Sequence, residues 1–257
     1  MPKCPNEYSD RVMRQTRCYV AGELHAGDTL TLPEGASAHL ARVLRARTGD
    51  AVTLFNGLGG EFRAQILNSD RRGVRVRIGT HEAVERESPL RLTLLQSITR
   101  GEKMDFIVQK ATELGVSAII ALSAERSVVR LDDEVHRKRR EHWRAIAVSA
   151  CEQCGRNRVP DIELAENLAA AVARTDSDEC RVVLDPDAQR PLSALPARAS
   201  SMAVLIGPEG GFGSDELALA HDHGFIGHRL GPRVLRAETA PLAALAVIQT
   251  LIGDLGA

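Results

Sequence analysis

Two stretches near the C-terminal end decide the fold: Leu205-Ile-Gly-Pro-Glu-Gly-Gly-Phe-Gly213 and Leu230-Gly-Pro-Arg-Val-Leu-Arg-Ala-Glu-Thr-Ala240. Each follows a short apolar run, residues 203–206 and 225–230, that reads as a buried strand. Gly-Pro at the end of each run stops the strand, because proline donates no backbone hydrogen bond and the dipeptide favours a turn. A helical pattern then follows each loop. Ser214 is placed to cap the first helix, with Asp215 and Glu216 in its first turn, and the second runs from Glu238 with Leu242, Leu245, Ile248 and Leu251 on one face. Two consecutive strand–loop–helix units bring both loops to one edge of a parallel sheet, where the ligands of such folds bind.

The rest of the chain fits two domains. Its 257 residues are enough for two sizeable cores, and 44% hydrophobic with 26% charged residues is the balance of a folded chain rather than a disordered one. No run of 18 apolar residues and no basic-then-apolar leader is present, so the expected setting is the cytoplasm, with no membrane span. Five cysteines, an odd number scattered along the chain, argue against a disulfide framework. Cys151 and Cys154 lack the second ligand pair that a zinc site needs, so no metal is expected.

The net charge of −1 is unevenly spread. Residues 1–80 hold 12 basic against 8 acidic side chains and residues 126–158 hold 9 against 5, whereas residues 159–257 hold 7 against 14. Only 4 of the 33 basic residues are lysine, and arginine suits two-pronged phosphate contacts. Two basic segments beside an acidic domain favour an RNA-binding surface.

In chain order, residues 1–16 read as a loose extension. Residues 17–83 read as a small β-barrel built from strands at 29–32, 51–55, 62–67 and 74–78, with turns at Asn56-Gly57, Gly59-Gly60 and Arg72-Gly73. An amphipathic helix over 37–47 interrupts it, with Leu40, Val43 and Leu44 facing in and Arg42, Arg45 and Arg47 facing out. Residues 84–89, acidic and ending in Pro89, form a linker. From 90 to 257 the rhythm becomes α/β: strands at 90–98, 118–122 and 181–185, a strand or loop at 159–164, helices at 103–114, 132–154 and 168–172, then the two units above.

The glycine-rich loop matches neither phosphate-binding template, G-x-G-x-x-G or G-x-x-x-x-G-K-[ST]. Asp215 and Glu216 would also repel a phosphate from the helix start behind it. A ligand with a positive centre meets no such repulsion, and S-adenosylmethionine, a sulfonium, is one. A non-catalytic RNA-binding factor and a nucleotide-using metabolic enzyme are the rival readings; the acidic helix start argues against the second.

Several motifs together resemble the ribosomal RNA small subunit methyltransferase E (RsmE) family of the SPOUT superfamily. They are Arg42-Val-Leu-Arg45, Arg100-Gly-Glu-Lys-Met104, Gln109-Lys-Ala-Thr-Glu-Leu-Gly115, Ser123-Ala-Glu-Arg126, Ala150-Cys-Glu-Gln-Cys-Gly-Arg-Asn157 and the two loops. The resemblance implies a PUA-like barrel that grips RNA, followed by a knotted α/β methyltransferase domain. It also implies a homodimer and N3-methylation of a uridine in 16S rRNA of the small ribosomal subunit. S-adenosylmethionine would be held by the backbone of Leu184, Pro186, Ile206, Gly207, Pro208, Glu209, Gly210, Gly211, Leu230, Gly231, Val234, Leu235, Thr239 and Ala240. RNA contacts are implied at Arg17, Arg42, Arg45, Lys103, Arg126, Arg156 and Asn157. Arg236 is the candidate for stabilising a uridine anion, and Glu238 for orienting Arg236 or accepting the proton. The chain departs from the family pattern at its first dozen residues and at Phe212-Gly213, neither expected to touch the site.

Overall fold

A computed structural model describes residues 16–99, 101–124 and 133–256. Arg126 and residues 1–15 of the N-terminal extension lie outside the described residues. The chain divides into two compact units between Glu85 and Arg86.

In the first unit β1 (Arg17–Tyr19), β2 (Thr29–Thr31), β3 (Ala51–Phe55), β4 (Glu61–Asp70) and β5 (Gly73–Glu82) form one sheet in the order β1-β3-β4-β5-β2. Period-two alternation places Phe62, Ala64 and Ile66 of β4 and Val74, Val76 and Ile78 of β5 in one core, with Arg63, Arg75 and Arg77 on the exposed face. Arg17 extends the sheet as β1, pairing parallel to Thr53.

The helix expected over 37–47 instead starts earlier and stops sooner. Helix α1 spans Glu34–Ala38, and the chain continues through His39–Val43 in wider turns, with the Leu44 N–H donating to His39 O. Ser37 does not cap it. Its hydroxyl donates to Leu32 O and accepts from Val74 N–H, tying the helix to β5. Arg45 then enters the left-handed region at φ 51°, which ends the helix, so Leu44 is exposed rather than packed inward.

The second unit is a seven-stranded, all-parallel sheet in the order β10-β12-β9-β11-β6-β7-β8. Its strands are β6 (Arg91–Ser97), β7 (Ala118–Leu122), β8 (Asp161–Ala165), β9 (Cys180–Leu184), β10 (Arg190–Pro191), β11 (Ser201–Ile206) and β12 (Ile226–Arg229). Every residue of β11 is buried, as expected of a strand covered on both faces.

Helices α2 (Lys103–Glu113), α3 (Asp133–Cys154) and α6 (Thr239–Ile252) cover one face, where Leu92, Leu94, Ile107, Trp143, Leu245 and Ile248 form a common core. Helices α4 (Leu168–Val172) and α5 (Ser214–Asp222) cover the other through Leu95, Leu168, Val183, Leu205, Ala220 and Phe225. Leu251 departs from its expected inward position and is 45% exposed, one turn beyond the buried part of α6. No described helix is long and apolar enough to cross a membrane.

Residues 84–89 carry no helix or strand, yet they are tied down. The Arg86 guanidinium donates to Gly155 O, Glu87 pairs with Arg156, and the Ser88 hydroxyl donates to Gln249 Oε1.

Candidate active site

Because β9, β11 and β12 run parallel and adjacent, their C-terminal ends share one edge. The loops leaving those ends enclose a cavity of about 420 Å³, within the ~300–1,000 Å³ range of small-ligand pockets. It is lined by Leu184 and Pro186 after β9, by Ile206, Gly207, Pro208, Glu209, Gly210 and Gly211 after β11, and by Leu230, Gly231, Val234, Leu235 and Ala240 after β12. Thr239, grouped with these in the sequence, is not in the lining, and Arg236 and Glu238 alternate with lining residues Leu235, Ala237 and Ala240.

Local chemistry explains each wall. In the first loop the Gly211 N–H donates to Pro208 O at 2.9 Å, closing a turn that puts Gly211 at φ 69°. A Cβ on Gly207 would stand 3.2 Å from the Phe212 ring, so this glycine lets the ring pack on the loop. Phe212 is therefore a wall of the cavity, a correction to its expected place away from the site. Gly213, not Ser214, is the cap residue of α5: the Glu216 carboxylate accepts from Gly213 N–H at 2.9 Å. The helix start behind the loop is thus already occupied by this chain's own carboxylate.

Six lining residues were not named from the sequence: Asp185, Asp187, Phe212, Leu217, Arg233 and Ala237. Asp185 was legible, since it stands between the named Leu184 and Pro186. Arg233 and Ala237 were legible in the same way, inside the loop from Leu230 to Ala240, whereas Asp187, Phe212 and Leu217 are brought in by the folding of the chain. Asp185, Asp187 and Glu209 against Arg233 leave the lining acidic on balance.

Lys103, the first residue of α2 and one of the expected RNA contacts, stands against Glu209 of the cavity wall. Its Nζ is 3.4 Å from Glu209 Oε1 and 3.2 Å from Glu238 Oε2. The Glu238 carboxylate is held below the usual range by its own backbone N–H, then by Lys103 and by the charge of Arg236, against a raising effect of partial burial. At 3.2 Å the Lys103–Glu238 contact is an ion pair.

The expected RNA contacts divide. Arg42 and Arg45 are exposed. Arg17 is turned inward, paired with Glu61 and lying 5.0 Å from the centre of the Phe55 ring. Arg156 and Asn157 are buried at 4% and 0% exposure. Arg156 donates to Glu87 and to Thr112 O and Val116 O, so its side chain serves the fold rather than an exposed surface. The described cysteines form no disulfide, the Cys151 thiol donates to Arg158 O, and no cluster of metal-ligating side chains occurs among the described residues.

Comparison with known proteins is consistent along the chain. Residues 86–249 match the RNA methyltransferase domain family and residues 32–79 the RNA methyltransferase PUA domain family. A ribosomal RNA small subunit methyltransferase E from Buchnera aphidicola is 34% identical over 242 residues, covering 94% of this chain and 98% of that one. The Bacillus subtilis protein of that name is 33% identical, covering 82% and 85%. Among solved structures, a Legionella pneumophila methyltransferase in complex with the bound cofactor SAM superimposes with a TM-score of 0.89 at 41% identity, over 94% and 100% of the two chains. The Neisseria gonorrhoeae ribosomal RNA small subunit methyltransferase E bound to S-adenosyl methionine gives 0.86 at 37%, over 94% and 99%. With both domains matched in order and relatives covered nearly end to end, the chain belongs to the ribosomal RNA small subunit methyltransferase E family.

Proposed function

We propose that this chain methylates N3 of a uridine in the decoding region of 16S rRNA, using S-adenosylmethionine held between the loops that follow β9, β11 and β12. The observation that carries the reading is the acidic cavity lined by the loops at the sheet edge, in a chain of this family. Its lining fits the donor. Acidic side chains outnumber the one arginine, which favours a sulfonium and an ammonium over a phosphate, and Gly207, Gly210, Gly211 and Gly231 contribute backbone alone. Glu216 on the Gly213 N–H further disfavours an anion behind the first loop.

When bound, S-adenosylmethionine supplies a methyl group on a positively charged sulfur. The chain's own residues must then orient the base and manage the N3 proton. Arg236 neutralises charge on uracil O2 and O4 as the proton leaves. Glu238, whose proton affinity is depressed, is better suited to holding Arg236 than to keeping that proton, which passes to solvent water. Positioning contributes on the order of 7–11 kcal/mol in such reactions. The exposed Arg42 and Arg45 of the PUA-like barrel supply phosphate contacts that place the RNA without reading its sequence. The enzyme works as a cytoplasmic homodimer, its C-terminal segment threaded in the trefoil knot of the SPOUT superfamily.

Mass spectrometry of 16S rRNA from a strain lacking this chain tests the reading. One methyluridine should be missing, restored by the wild-type chain and not by Arg236→Ala. An unchanged methylation pattern would refute it.

A further inference from the structure

Lys103 is in an unusual place for a lysine. It opens α2, where the unpaired backbone N–H groups make the helix end positive and favour an acidic residue. The preceding Glu102 makes no side-chain cap there. Two acidic side chains from elsewhere offset the charge: Glu209, in the turn after β11, and Glu238, immediately before α6. These carboxylates belong to the two Gly-Pro loops that face each other across the cavity, and the three residues are separated by more than 100 positions in sequence from α2 to the first loop.

We propose that Lys103 is a positioning residue of the methyl-transfer site, its ammonium bridging Glu209 and Glu238 so that the two loops walling the cavity are held at a fixed separation. The inference rests on the proposed methyltransferase reading. The geometry gives Lys103 a dual contact: moving either loop outward breaks one of its two ion pairs. The Lys103 side chain is 35% exposed, against 49% for Glu209 and 21% for Glu238, so each pair alone is weak. Its consequence lies in geometry, because a displacement of ~1 Å from the reactive arrangement costs on the order of 10²-fold in rate. Lys103 holds Glu238 in turn, and Glu238 stands two residues from Arg236, so one bridge fixes both the cofactor walls and the group beside the base.

The test compares Lys103→Met, Lys103→Arg, Glu209→Gln/Glu238→Gln and the triple variant in the full-length chain. S-adenosylmethionine affinity is read by calorimetry, and kcat and KM for RNA by methyl transfer, with thermal unfolding alongside. Lys103→Met should weaken S-adenosylmethionine binding by about three- to tenfold and lower kcat by roughly 10- to 100-fold, with unfolding nearly unchanged. Lys103→Arg should restore most of both, and removing Lys103 from the doubly substituted chain should cost little more. A salt-dependent rise in KM for RNA, with cofactor affinity and kcat intact, would make Lys103 a phosphate contact and overturn the proposal. So would an equal loss in the doubly substituted background. Failure of the wild-type chain to bind S-adenosylmethionine would instead overturn the methyltransferase reading itself.

Discussion

Replacing Arg156 with Met separates two roles that the sequence could not tell apart. The guanidinium is 5% exposed and holds three parts of the second unit together. Nη1 donates to Thr112 O at 2.8 Å and to Val116 O at 3.0 Å, on either side of the turn at Gly115, while Nε donates to Glu87 at 3.2 Å and Nη2 binds the same carboxylate. Methionine fills similar space but satisfies none of these acceptors. Each carbonyl cut off from water costs ~1–3 kcal/mol. Glu87 keeps 21% exposure and so recovers some hydration, which discounts its share. Breaking a buried pair from one side costs about 3–5 kcal/mol in total. For a unit of this size that corresponds to a fall of about 10 °C in unfolding temperature. Denaturant and thermal melts read the loss, and RNA affinity well below the transition should be unchanged. Arg156→Lys should recover only part, because an ammonium cannot form the planar fork. Adding Glu87→Leu to Arg156→Met should return some stability by removing the stranded carboxylate. An unfolding temperature within ~2 °C of wild type together with lost RNA affinity would refute the reasoning.

Arg42→Ala with Arg45→Ala should weaken RNA binding similarly for all sequences and reduce the salt slope by ~1.4, about 0.7 per lost phosphate contact on single strands; affinity measured across a salt series checks it. Gly115→Ala should destabilise by ~1–3 kcal/mol, because Gly115 sits at φ 80° and a Cβ there would lie 2.7 Å from Gln249 Nε2, which donates to Leu114 O. Denaturant unfolding reads it. Glu238 has a depressed proton affinity, so the Lys103–Glu238 pair is fully present above the ordinary glutamate range and is lost only as pH falls through the lower folded value. Cofactor affinity should therefore be flat through neutral pH and fall in acid, and Glu238→Gln should remove Glu238's contribution to that acid limb in a pH series of calorimetric titrations.

The sequence was most informative where local rules act alone. The strands at 51–55 and 118–122 and the helix at 168–172 have the residues expected of them, because alternation and apolar runs are properties of neighbouring residues. The two Gly-Pro loops were legible for the same reason. They needed no chemistry from side chains to be recognised as turns after buried strands.

What only the tertiary structure decided is where long side chains end. Arg17, Arg42, Arg45 and Arg156 are equivalent in sequence as basic residues of basic segments, yet two are exposed and two are spent on Glu61 and Glu87, partners 44 and 69 positions away. The early end of the helix after α1 depended on the bonds Ser37 makes to Leu32 and Val74 and on the backbone turn at Arg45. Lys103 could be read only as a cation until Glu209 and Glu238 were brought to it. Sequence alone therefore determined the two loops at the edge of a parallel sheet. The enclosure of a cavity by those loops, and the lysine between them, came from parallel pairing of β9, β11 and β12, which converts distance along the chain into contact across a site.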